Sequence, residues 1–162
     1  MKATTTIKIF IALFLLVPTL ALANAGKVLY AKGKVSVERD NTIELVKGDM
    51  LKEGDIIVTG KSSRAQLLMI DGARISVRAN SRLEVATYSL DQPSASSISA
   101  TSGAEGEVSL NLLKGGLRTI TGAIGKADQD DYNMRTPVAT LGIRGTDFDV
   151  QHCSGDCAPS TP

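Results

Sequence analysis

Glycines at 33, 48, 54, 60 and 72 stand 15, 6, 6 and 12 residues apart. If each marks a turn, the intervening segments hold strands of about four to six residues. The stretch Gly48–Val85, GDMLKEGDIIVTGKSSRAQLLMIDGARISVRANSRLEV, carries the pattern most fully. Arg74 to Arg78 alternates polar and apolar residues, and Arg82 to Val85 repeats the alternation after Ala79-Asn80-Ser81. A period of two buries one face of a strand. Asp71-Gly72 predicts a two-residue hairpin turn with positive φ at both positions. In Arg64–Ile70 the alternation fails: Ala65, Leu67 and Met69 point one way, Leu68 and Ile70 the other. That strand is therefore expected at the centre, covered on both faces. The fold class is all-β: a compact β-roll, or short solenoid-like sandwich of two facing sheets. The spacing is too irregular for a strict β-helix.

The flanking segments extend the scheme. Lys27–Ala31 and Lys34–Arg39 read as a first strand pair turned at Lys32-Gly33, and Asp40-Asn41 leads into Ile43–Val46. Residues 89–106 hold six Ser, one Pro and two Gly and predict a flexible loop, either a tolerated insertion or a partner-binding loop. Glu107–Leu113 alternates, Lys114-Gly115-Gly116 predicts a turn into Leu117–Thr121, and Gly122–Asp131 predicts a polar connection. Residues 26–152 are expected to form one domain, with 153–162 a C-terminal disulfide loop and tail.

Residues 1–25 read as a secretory signal. Lys2 and Lys8 precede the apolar run Ile9–Val17, and Ala21-Leu22-Ala23 and Ala23-Asn24-Ala25 both present small residues for cleavage. The mature chain then begins at Gly26, or at Asn24 by the earlier site, in the periplasm or outside the cell. A spanning helix needs about 20 apolar residues, and Ile9–Ala23 is interrupted by Pro18 and Thr19. No membrane span is expected after cleavage; an uncleaved anchor is the competing reading.

Composition removes several functions. The chain's formal net charge is +1, which supplies no overall attraction to nucleic acid. It has no Trp, and beyond the signal only Tyr30, Tyr88, Tyr132 and Phe148 are aromatic. Stacking platforms for single strands are therefore missing. A carbohydrate or peptidoglycan binder would need its three tyrosines exposed together on one face.

Candidate chemistry is sparse. In Gly142-Ile143-Arg144-Gly145-Thr146-Asp147, glycines flank an arginine and a threonine hydroxyl lies close by. Arg144 can present its fork to a partner's carboxylate or phosphate, or pair within the fold with Asp147 or Asp149. Gly142 and Gly145 are expected to serve backbone geometry. Gly60-Lys61-Ser62 lacks the earlier glycine of a phosphate loop. Asp128, Asp130 and Asp131 lack the later glycine and glutamate of a calcium loop, their places being held by Asn133 and Ala139. His152 is the only histidine. With Cys153, Cys157 and Asp156 it makes a thiol-enzyme set only on paper, because adjacent residues on a strand diverge. In an oxidising compartment, Cys153 and Cys157 are expected to close a disulfide loop. No catalytic residue, metal site or cofactor is expected.

Seven pieces in order resemble the FecR domain. They are Gly48-Asp49, Gly54-Asp55, Ile57, Thr59-Gly60, Arg64-Ala65-Gln66-Leu67, Asp71-Gly72 and Asn80-Ser81-Arg82-Leu83. Thr136-Pro137-Val138-Ala139 followed by Gly142-Ile143-Arg144-Gly145-Thr146 resembles the end of such domains and extends the likeness from about Lys27 to Val150. The resemblance implies a non-catalytic interaction module of the bacterial envelope, linked to signalling or transport regulation, with an unidentified envelope protein as partner. FecR-type regulators place a sigma-binding segment and a spanning helix before this domain. Here it follows a signal directly, which implies a stand-alone relative. A membrane-anchored relay is the alternative should the N-terminal helix remain.

Overall fold

A computed structural model describes residues 24–90, 105–128, 130–143 and 146–153. Twelve strands form one continuous sheet folded onto itself. They are β1 (Asn24–Lys32), β2 (Val35–Glu38), β3 (Thr42–Glu44), β4 (Met50–Lys52), β5 (Ile56–Thr59) and β6 (Arg64–Met69). There follow β7 (Arg74–Val77), β8 (Arg82–Leu90), β9 (Gly106–Ile120), helix α1 (Ala123–Ala127), β10 (Tyr132–Thr136), β11 (Ala139–Gly142) and β12 (Asp147–His152). The fold is all-β, as the alternation requires.

The strands divide into two facing layers joined by β9. Sheet I runs β4-β1-β6-β7-β9-β12, and sheet II runs β3-β2-β5-β8-β9-β10-β11. Register explains the core. Val28 lies opposite Leu67, Leu67 opposite Ile75 and Ile75 opposite Thr119, all buried in sheet I. In sheet II, Val37, Ile57 and Leu83 align in the same way, as do Val85, Leu110 and Met134. Directly opposed residues share a face, so each row buries one apolar stripe between the layers.

Several sequence expectations are corrected. Lys114-Gly115-Gly116 is not a turn; it is a bend inside the 15-residue β9. Val108, Leu110 and Leu112 face inward before it, and Leu117 and Thr119 after it, so the bend shifts the alternation by one residue. Gly115 carries φ +82, and a Cβ there would meet Ser81 Cα at 2.6 Å and Asn80 O at 2.7 Å. Ser81 Oγ donates to Gly116 O at 3.1 Å and accepts Gly116 N–H at 2.9 Å, pinning the bend. This makes β9 the central strand. The strand Arg64–Ile70 is covered on one face only, since Gln66 is exposed, Leu68 half-buried and Ile70 exposed. Isolated apolar residues on a solvent face broke the alternation without implying a second cover.

β1 and β2 are not a pair. β1 joins β4 and β6, while the chain crosses at Gly33 (φ +76) into the other sheet, where β2 joins β3 and β5. At Asp71-Gly72 only Gly72 has positive φ. Its N–H donates to Met69 O at 3.0 Å, and the Asp71 carboxylate accepts the Ala73 N–H at 3.0 Å. The loop is thus longer than two residues, and Asp71 serves it through its side chain. Ser89, Leu90 and Gly106 lie in strands, with Leu90 opposite Gly106. The expected connection Gly122–Asp131 contains α1, whose Ile124 is buried. No helix among the described residues is long and apolar enough to cross a membrane.

Candidate functional site

The C-terminal segment is built on β9. β10 runs parallel to it, Tyr132 opposite Val108, and turns back at Pro137 into β11. The Thr136 hydroxyl accepts the Ala139 N–H at 3.0 Å and donates to Ala139 O at 3.2 Å, fixing that turn. Val138 stands at its tip, 80% exposed. Gly142 lies opposite Asn133, and a Cβ there would meet nothing within 4 Å. Steric need for glycine at 142 is therefore overturned. Arg144, Gly145 and Cys157 lie outside the described residues. Thr146 accepts the Thr121 N–H on its carbonyl at 2.8 Å.

Asp147 and Asp149 already have partners. Arg118 grips Asp147 with two donors, Nε to Oδ1 at 2.9 Å and Nη2 to Oδ2 at 2.5 Å. Arg78 pairs with Asp149. The hydrogen bonds from Arg118 hold the Asp147 carboxyl below its ordinary range, and the same contacts push the Arg118 guanidinium up. Both carboxylates proposed for Arg144 within the fold are thus engaged by other arginines. Cys153 follows β12 directly, where His152 lies opposite Gly115.

The N-terminal motif residues are scaffold. Asp55 is buried and held by Arg39 through Nε–Oδ1 at 2.5 Å and Nη2–Oδ2 at 2.7 Å, and it also accepts the Lys52 N–H at 2.8 Å. That hydrogen-bonded carboxylate pushes the Arg39 guanidinium further up. Asp49 accepts the Val46 N–H at 2.8 Å. Thr59 donates to Arg78 O at 2.5 Å and accepts the Ser81 N–H at 3.0 Å. Each residue satisfies backbone that a turn leaves unpaired.

The tyrosines do not form one exposed face. Tyr88 and Tyr132 are 1% and 0% exposed, whereas Tyr30 is 44% exposed. Tyr88 Oη donates to Asp71 Oδ1 at 2.7 Å, and the Tyr132 ring meets Phe148 edge-on at 5.9 Å. Burial pushes both phenols above their ordinary value.

The surface that the sequence did not reveal is the outer face of sheet I. A row of directly opposed residues crosses it: Met50, Lys27, Leu68, Arg74, Ile120 and Asp147. A second row sets Tyr30, Gln66, Ser76, Arg118 and Asp149 beside it. Strand register, which sequence alone left open, assembles these rows. The outer face of sheet II is ion-paired instead, with Glu38 to Arg82 and Glu84 accepting from Asn111 at 2.9 Å.

The family model described as FecR protein matches residues 55–158. The match takes in β5 through β12 and starts after β4. No curated protein and no solved structure matches the chain.

Proposed function

The chain belongs to the FecR family, whose domains serve envelope signalling, and from that premise we propose that it is a non-catalytic, exported module that binds an envelope protein. The observation that carries this reading is the fate of the tyrosines. Two of the three lie in the core, leaving Tyr30 alone as an exposed tyrosine. A sugar-binding face built on aromatic rings has no such platform among the described residues. The carboxylates and arginines around the bend are occupied with one another, as structural groups are, rather than converging on a cleft.

Arg144 belongs to this proposal. Its two candidate partners within the fold are engaged by Arg118 and Arg78, which supports a role toward the partner. Co-purification from envelope extract tests it. Arg144→Ala is expected to leave the unfolding midpoint unchanged and to weaken recovery of the partner. Arg144→Lys keeps charge but not the planar fork, so it should restore recovery only in part. A lowered midpoint with recovery intact would return Arg144 to the fold.

A further inference from the structure

Charge on this molecule is segregated. The outer face of sheet I carries Lys27, Lys32, Lys52, Arg64 and Arg74, together with Arg78 and Arg118. The last two are neutralised by Asp149 and Asp147, the acidic residues of that face among those described. Among the described residues the other five have no ion-pair partner. Counting its described residues, the face is therefore five charges positive in a chain of net charge +1. Everything outside it must be net negative. Average composition concealed this, because alternation placed the cations of neighbouring strands on one side.

Apolar side chains lie between the cations. Met50, Leu68 and Ile120 alternate with Lys27 and Arg74 across five adjacent strands. Neighbouring strands are about 4.8 Å apart, so like residues recur about every 10 Å along the row. That spacing is close to the Debye length of about 8 Å at physiological salt, so the charges act as separate points. A partner matches such a lattice by placing carboxylates over the cations and apolar groups between them.

We propose that the outer face of sheet I, centred on Lys27, Leu68, Arg74 and Ile120, docks an acidic protein surface that carries apolar side chains among its carboxylates. The proposal rests on the protein-binding reading above and gives it a place and a chemistry. Charge complementarity selects the occupant. A bilayer fits less well: Leu68 is half-buried within the sheet, and interfacial anchoring needs apolar groups that reach about 5–10 Å into the lipid.

The test uses the exported chain and a soluble probe peptide composed of glutamate and leucine, followed by amide chemical shifts at low and high salt. Shifts are expected on β1, β6 and β7, and salt should weaken them. Lys27→Glu with Arg74→Glu should weaken binding by about tenfold or more, as interface charge reversals do. Lys126→Glu with Arg135→Glu changes net charge equally on exposed positions elsewhere and should leave binding unchanged. Equal loss in both double variants would reduce the effect to net charge and overturn the proposal. Binding to phosphatidylglycerol vesicles through this face, with none to the peptide, would make it a membrane surface and overturn it. Self-association abolished by the first double variant would assign the face to a second copy and overturn it as well. Retained envelope co-purification by that variant would sink the surface and leave the protein-binding reading standing. Absence of any partner for the unaltered chain would sink the reading itself.

Discussion

Replacing Gly115 by alanine should be among the most damaging small changes available to this fold. Two costs combine there and can be separated. The first is conformational: Gly115 has φ +82, and an L-residue in that region costs about 1–2 kcal/mol. The second is steric: a Cβ would meet Ser81 Cα at 2.6 Å and Asn80 O at 2.7 Å, both backbone atoms. Moving that backbone disturbs the two hydrogen bonds between Ser81 Oγ and Gly116, each contributing about 0.5–1.5 kcal/mol. The sum is about 2–5 kcal/mol, a large part of the roughly 5–15 kcal/mol that holds a domain. Gly72→Ala isolates the first cost, because Gly72 has φ +85 but a Cβ there would meet nothing within 4 Å. Urea unfolding of both variants at unchanged slope reads the difference. Equal losses for Gly115→Ala and Gly72→Ala would refute the idea that the Ser81 node holds the bend joining the sheets.

Three further outcomes follow from the same geometry. Burial raises the pKa of Tyr88 and Tyr132 in the folded state, so folding favours their neutral form. Their contribution is complete below the unfolded value of about 10 and declines as pH rises through it; phenolate absorbance from these two should appear only with unfolding, and Phe substitution at each should assign it. Ala25 is fully buried and its carbonyl accepts the Ile70 N–H at 3.0 Å, so the mature chain is expected to begin at Asn24 rather than Gly26, which intact mass decides. The expected Cys153–Cys157 bridge would close a short loop and should contribute only about 2 kcal/mol; a double Cys→Ser variant is expected to fold with a slightly lower midpoint, and failure to fold would show that the C-terminus matters more.

The sequence made the strands legible where polar and apolar residues alternate, because burial on one face writes that period directly. It misled where apolar residues sit on a solvent face or where a distant contact, not local pattern, dictates the residue. Leu68 and Ile70 look like a second buried face, yet they lie half-buried and exposed on sheet I. Gly115-Gly116 looks like a turn, yet close approach to Ser81, 35 residues from Gly116, is what requires glycine. Such long-range contact leaves no local periodic signal. The same limit hid the cationic face. Lys27, Arg74 and Arg118 are unremarkable one by one, and only the register of β1, β6, β7 and β9 sets them side by side. The Gly142–Asp147 segment was recognisable as a motif, but the capture of Asp147 by Arg118 depends on pairing between β9 and β12.

Cross-linking in intact cells tests the docking surface most directly. A photoreactive residue at Gln66, exposed between Tyr30 and Ser76 on sheet I, is compared with one at Thr87 on the outer side of sheet II. The account predicts a protein adduct from position 66, lost when Lys27→Glu and Arg74→Glu are added, with an acidic surface on the captured protein. An adduct from position 87 alone, or one from position 66 that survives the double charge reversal, would contradict it.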